Sequence, residues 1–403
     1  MARRGGQLPW RGGRVLSLLV VGVVVAGCGG GAADEAAAPS ASSAATPVST
    51  ALPEPVSLAL SVSDDGTDVE PGQPVTVSAE HGRITGGSLI GTHGTKVEHE
   101  LRTDGALWTT TEPLGYGKTY TLSVEATGED GEAVEKTATF TTATPARTVG
   151  VYVNAADGET VGVGMPLIFT FTGDVPDRAA AEEALRVSSE PETEGAFRWF
   201  GDRKVIWRPK EYWETGTEVT VDAAIYGKNL GEGTYGAEDE KVGLTVGDKV
   251  VAVADGESHR MEISVNDEKT ETFLISMGKP SSSTPNGTYT MMSEHNGYTM
   301  DSSTYGVPTD SADGYETWVE YAVRLSNSGI FYHSAPWSVG DQGNRNVSHG
   351  CINLAPQDAK WLMDTGKRGD LVTVVNGGDQ TLEPTDGWSV WQMSWNEWTS
   401  DAS

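Results

Sequence analysis

From Val56 onward, apolar and polar residues alternate in short runs of period two, broken by turn residues, and helical periodicity is rare. Val56–Leu60, Val75–Val77, Tyr120–Val124 and Ala138–Phe140 each place apolar side chains on one face, the mark of half-buried strands. Pro71-Gly72, Asp104-Gly105 and Asp130-Gly131 punctuate them. Strands at this spacing predict an immunoglobulin-like sandwich over 56–146. Leu167–Phe171, Lys204–Arg208 and Glu218–Val221 repeat the pattern over 147–249, with a short helix from Asp177 to Leu185 that has a proline before it and an acidic first turn. Gly117-Lys118-Thr119 is a turn, because Glu112 stands where a phosphate loop needs its first glycine.

A third region, 250–376, is again β-rich. Met261, Ile263 and Val265 alternate up to an Asn266-Asp267 hairpin turn, and Phe273–Ile275 returns. Gly287–Met291, Ile330–His333 and Leu371–Val375 are further strands. One helix is expected after residue 355, starting at Pro356, carrying Ala359, Leu362 and Met363 on one face and ending near Gly366. The tail, 377–403, spaces Trp388, Trp391, Trp395 and Trp398 by threes and fours, an aromatic stripe suited to docking on a neighbouring module. The fold class is therefore mainly β, with two sandwiches followed by a third β-rich domain.

The front end changes the setting. Residues 1–27 join a basic stretch (Arg3, Arg4, Arg11, Arg14) to the apolar run Val15–Gly27, too short to span a bilayer comfortably. This reads as an export signal. Val25-Ala26-Gly27-Cys28 resembles a bacterial lipobox, which implies lipidation of Cys28 and a location outside the cytoplasm, anchored to the outer face of the cell membrane and reaching into the wall. Residues 28–55, rich in Ala, Ser, Pro and Thr, read as a disordered tether. Loss of four arginines takes the formal charge from −29 to −33, which disfavours nucleic acid as a partner.

Acylated Cys28 leaves Cys351 as the single thiol, within Ser348-His349-Gly350-Cys351-Ile352-Asn353. A lone cysteine among histidine, glycine and polar residues suggests thiolate catalysis rather than a disulfide or zinc site. A free thiol titrates near about 8.5 and needs a neighbouring base. His333, ending a strand, is assigned that role. His349, two residues from the cysteine, is assigned to bracing the site. The backbone carbonyl of Ser334 is a candidate to orient the imidazole. Backbone N–H groups near Gly350 and Cys351 are candidates to hold an oxyanion.

The spacing His333, fourteen residues, then Ser348–Asn353 resembles the L,D-transpeptidase (YkuD-type) motif. Met300–Gly306, His333–Ser338 and Lys367–Asp370 resemble the mycobacterial-type lipoprotein members, as do the two sandwiches and the tryptophan-rich tail. The resemblance implies a YkuD-type catalytic domain with Cys351 as nucleophile, His333 as base and Ser334 as third member. It implies that His349, Gly350, Ser348 and Asn353 shape the site, that Tyr315 belongs to a lid, and that Ser328, Gly329, Met300 and Trp337 contact substrate. The implied reaction releases D-alanine from a tetrapeptide stem of peptidoglycan, forms a Cys thioester, and joins the diaminopimelate residues of two stems. No metal or organic cofactor is implied, and carbapenem β-lactams are expected inhibitors. Hydrolysis by an L,D-carboxypeptidase and a non-catalytic wall-binding lipoprotein are the alternatives. Asn229, where some relatives place an acid, weighs against calcium in the 227–240 loop, which is expected to be a solvated turn.

Overall fold

A computed structural model describes residues 54–311 and 314–400. The leader, Cys28 and the tether up to residue 53 lie outside the described residues, as do Ala312 and Asp313.

In the first sandwich, the sheet Ser57–Leu60, Thr76–Glu80, Leu107–Thr110, His99–Leu101 faces the sheet Gly66–Val69, Ala133–Thr142, Thr119–Gly128, Gly82–Gly91. Alternation places Tyr120, Leu122, Val124 and Ala126 inside, against Trp108, Leu89 and Phe140. The second sandwich pairs Val151–Val153, Leu167–Phe171, Lys204–Pro209, Gly195–Trp199 with Glu159–Val161, Glu240–Val246, Glu218–Ala223, Leu185–Glu190. Its inserted helix is Arg178–Ala184. The acidic start expected from sequence is a cap rather than a charged first turn: the Asp177 carboxylate accepts the Ala180 N–H at 3.0 Å.

The 227–240 segment is not a solvated turn. Thr234–Gly236 pairs in parallel with Arg147–Val149. Tyr226 Oη donates to the Leu114 carbonyl at 2.8 Å, and Tyr116 Oη donates to that of Gly236 at 2.6 Å. The segment is thus the joint between the sandwiches. Among the described residues no group of three or more His, Cys, Asp or Glu is placed to hold a metal.

The third domain packs a five-stranded sheet (Glu268–Leu274, Arg260–Val265, Val250–Asp255, Leu371–Val375, Gly287–Thr290) against a four-stranded one (Ser293–Asp301, Glu316–Arg324, Phe331–Ser334, Ile352–Leu354). Asn266 and Asp267 both take positive φ, as a tight hairpin turn requires. Helix Pro356–Thr365 buries Ala359 and Leu362 in the core shared with Ile263, Tyr332, Ile352 and Val372.

This domain is fastened to the second sandwich through Lys367–Asp370. Arg368 forms a two-pronged pair with Glu159 at 2.8 and 3.0 Å and donates to the Asn154 carbonyl at 2.6 Å. Gly162 and Gly164 donate to the Arg368 and Gly369 carbonyls, each at 2.8 Å. The tail closes over the same junction. Trp388 and Trp398 enter the second sandwich's core, and the buried Arg208 guanidinium lies under the rings of Trp391, Trp395 and Trp398 at 4.8, 5.5 and 4.9 Å.

Candidate active site

Parallel pairing of Phe331–Ser334 with Ile352–Leu354 sets His333 opposite Asn353 and Tyr332 opposite Ile352. Because side chains alternate along a strand, Tyr332 and Ile352 enter the core while His333 and Asn353 share the other face. Cys351 stands two residues before Asn353 and so falls on that face too. All three line one cleft of about 330 Å³, with Met300, Tyr315, Trp337, Ser348 and His349. Thr317, Val319, Ser338, Asp341 and Val347 complete the wall.

Each partner's protonation follows from its hydrogen bond. His333 Nδ1 lies 3.0 Å from the Ser334 carbonyl oxygen, which can only accept, so Nδ1 carries the hydrogen. In the neutral ring Nε2 is then free to take a proton. Burial lowers the His333 pKa, opposed by the Ser334 carbonyl, which favours that neutral ring. Cys351 Sγ donates to the Gly329 carbonyl at 3.5 Å, and burial pushes the thiol up to about 11. The resting pair is therefore thiol and imidazole, not a preformed ion pair. A nearby backbone hydrogen bond from Phe331 acts in the opposite sense and favours the anion once it forms.

The motif loop is rigid through its own polar groups. Ser348 Oγ donates to the Cys351 carbonyl at 2.6 Å and accepts the Gly350 N–H at 3.1 Å. The Gly350 N–H, one of the backbone groups in the stretch expected to face an oxyanion, is therefore engaged by Ser348. Gly350 is required for conformation: its φ is 129°, and a Cβ there would meet Ile330 Cδ1 at 3.0 Å. A strap from Ser276 to Thr284 backs the loop. Thr284 Oγ1 donates to the Gly350 carbonyl at 2.6 Å, Ser282 Oγ to that of His349 at 2.8 Å, and Ser348 N–H to that of Met277 at 3.0 Å.

The remaining predicted residues divide by position. The His349 ring lies 5.5 Å from that of Tyr315, and the Trp337 ring lies 5.9 Å from that of His333, so each pair forms part of the cleft. Burial raises the Tyr315 phenol well above its usual range, so it stays a neutral donor. Asn353 Nδ2 donates to Ser338 Oγ at 3.0 Å, and Met300 is buried against Cys351. Gly329, at φ 93°, supplies the carbonyl on the sulfur. Ser328 does not line the cleft: its N–H and hydroxyl both bind the Asp386 carboxylate, at 2.8 and 2.5 Å. Sequence reasoning missed Thr284, whose acceptor Gly350 lies 66 residues away, and Asp341 and Thr317, which sit in the cleft without belonging to a motif.

The family described as L,D-transpeptidase catalytic domain matches residues 249–374, and the family described as bacterial Ig domain matches residues 66–229. L,D-transpeptidase 2 of Mycobacterium tuberculosis (strain CDC 1551 / Oshkosh) is 43% identical over 341 residues, covering 85% of this chain and 83% of the relative. L,D-transpeptidase 5 of M. tuberculosis (strain ATCC 25618 / H37Rv) is 36% identical over 347 residues, 84% of this chain and 75% of the relative. A solved LD transpeptidase in complex with imipenem is 41% identical, with a TM-score of 0.49 over 56% of this chain and 99% of its own. With this sequence likeness running through both sandwiches and the catalytic region, the chain belongs to the L,D-transpeptidase family.

Proposed function

We propose that this L,D-transpeptidase cross-links peptidoglycan through Cys351, joining the diaminopimelate residues of two stem peptides. The carrying observation is that a thiol and a tautomer-fixed imidazole share one cleft face beside Asn353. As the donor carbonyl approaches, Nε2 of His333 takes the Sγ proton while sulfur bonds to the carbonyl carbon after the third stem residue. The imidazolium returns that proton to the departing D-alanine nitrogen as the C–N bond breaks, leaving a thioester. The acceptor amine then attacks. A C–N bond forms, the C–S bond breaks, and the amine proton passes through Nε2 to the sulfur. Carbapenems, which resemble the donor, acylate the same sulfur.

Export, lipidation at Cys28 and outward placement of the catalytic domain complete the reading, with the two sandwiches as spacers between membrane and wall. Supporting this are the basic leader, the apolar run and the lipobox-like Val25–Cys28. Mass analysis of the mature N-terminus should find a diacylated Cys28; an unmodified residue there would refute the anchor. Deleting residues 56–146 should spare activity on soluble stems while impairing cross-linking in cells.

The enzymatic reading is tested by giving purified protein tetrapeptide stems and counting products by mass spectrometry. Dimers linked through third residues are expected. Tripeptides alone would replace transpeptidation with hydrolysis.

A further inference from the structure

The cleft holds one carboxylate among its described lining residues, that of Asp341. Its place is fixed by the turn after the short helix Pro336–Ser338: Asp341 N–H donates to the Ser338 carbonyl at 2.9 Å. It therefore lies on the element that carries Trp337, whose ring is 5.9 Å from that of His333. Arg345 Nε holds Oδ1 at 2.5 Å, and Oδ2 has no hydrogen-bond partner among the described residues. Arg345 is largely exposed, with side-chain accessibility of 73% against 22% for Asp341. The guanidinium can thus swing into water while the carboxylate stays in the cleft.

We infer that Asp341 binds the ammonium of the acceptor stem and so assigns the acceptor to the Trp337 side of the cleft. This rests on the transpeptidase reading. An acceptor amine reaches the thioester as R–NH3⁺ and must lose one proton to solvent before it can attack. Its second proton leaves through His333, so the amine has to arrive on the imidazole's side. Asp341 and the Trp337 face are the groups there that favour a cation. Water bears no charge and gains little from either, so the carboxylate favours cross-linking over hydrolysis. Asp341 is an acceptor-binding residue and takes no proton in the reaction.

The test uses the full mature chain, saturating tetrapeptide donor and a diaminopimelate-containing tripeptide as acceptor. Acceptor KM is measured along with the ratio of dimer to hydrolysed tripeptide. Each variant is normalised to its own acylation rate. Asp341→Asn should raise acceptor KM about tenfold, equivalent to about 1.4 kcal/mol. The dimer ratio should fall with it. Asp341→Glu should recover most of the loss. Added salt should raise the wild-type acceptor KM and leave that of Asp341→Asn almost unmoved. An unchanged acceptor KM and dimer ratio in Asp341→Asn, alongside a wild type that acylates and cross-links, would overturn this assignment alone. A wild type that forms no acyl-enzyme would refute the transpeptidase reading and the inference with it.

Discussion

The sulfur of Cys351 donates to the carbonyl oxygen of Gly329 across 3.5 Å, a contact that only the protonated thiol can make. Burial acts in the same direction and carries the thiol to about 11. A free cysteine titrates near about 8.5, so at pH 8 the native thiol should react with iodoacetamide about a hundredfold more slowly than the same residue in unfolded chain. Its rate should climb with pH through the range to about 11. A plateau near pH 8 would show a thiolate already formed at rest.

Acylation has a different pH dependence, because there the base rather than the sulfur sets the limit. His333 must be neutral to take the proton, and burial lowers its pKa from the ordinary value. The acidic limb of the acylation rate should therefore fall below about 6.5, the value for a free imidazole. A limb displaced upward would mean that a carboxylate, not the Ser334 carbonyl, faces Nδ1.

Thr284 tests the strap. It is fully buried, donates to the Gly350 carbonyl at 2.6 Å and accepts the Gly278 N–H at 3.0 Å. Thr284→Val keeps the shape and strands both groups, which should cost about 1–3 kcal/mol in chemical denaturation. Acylation should slow about tenfold, since the loop carrying Cys351 loses its backing while the cleft residues stay the same. Unchanged acylation would show that Ser348 alone fixes the loop.

Asp370 sits at the junction with the second sandwich, and burial raises its carboxyl to about 7. An unfolded carboxyl titrates near about 3.9, so folding takes up a proton between those values. The group's contribution to stability therefore declines as pH rises from about 4 and reaches its full penalty above about 7. Asp370→Asn keeps an acceptor for the Lys367 N–H, which binds Oδ2 at 2.7 Å. The variant should melt higher than wild type at pH 8 and gain little at pH 5. Equal shifts at both values would contradict the assignment.

Period-two alternation made the strands legible, because burial repeats every second residue along Thr119–Gly128 as it does in the string of side chains. Asn266-Asp267 was legible as a turn because few other residues take positive φ in succession. The cleft pair was legible from the chemistry of Cys351 and the strand-end placement of His333. What stayed hidden was set by long-range contacts. Ser328 carries no local sign that Asp386, 58 residues on, binds it. The 227–240 segment looks solvated because Tyr116, whose hydroxyl binds both Gly227 and Gly236, belongs to the other sandwich. The alternation of Lys204–Arg208 gives no sign that three tail tryptophans cover Arg208.

The central claim is that Cys351 accepts the acyl group when His333 takes its proton, and intact-mass measurement with a carbapenem tests it most directly. Wild type should gain the mass of one inhibitor, Cys351→Ala none, and His333→Ala should acylate far more slowly. An adduct that persists on Cys351→Ala, or wild type that stays unmodified, would contradict the account.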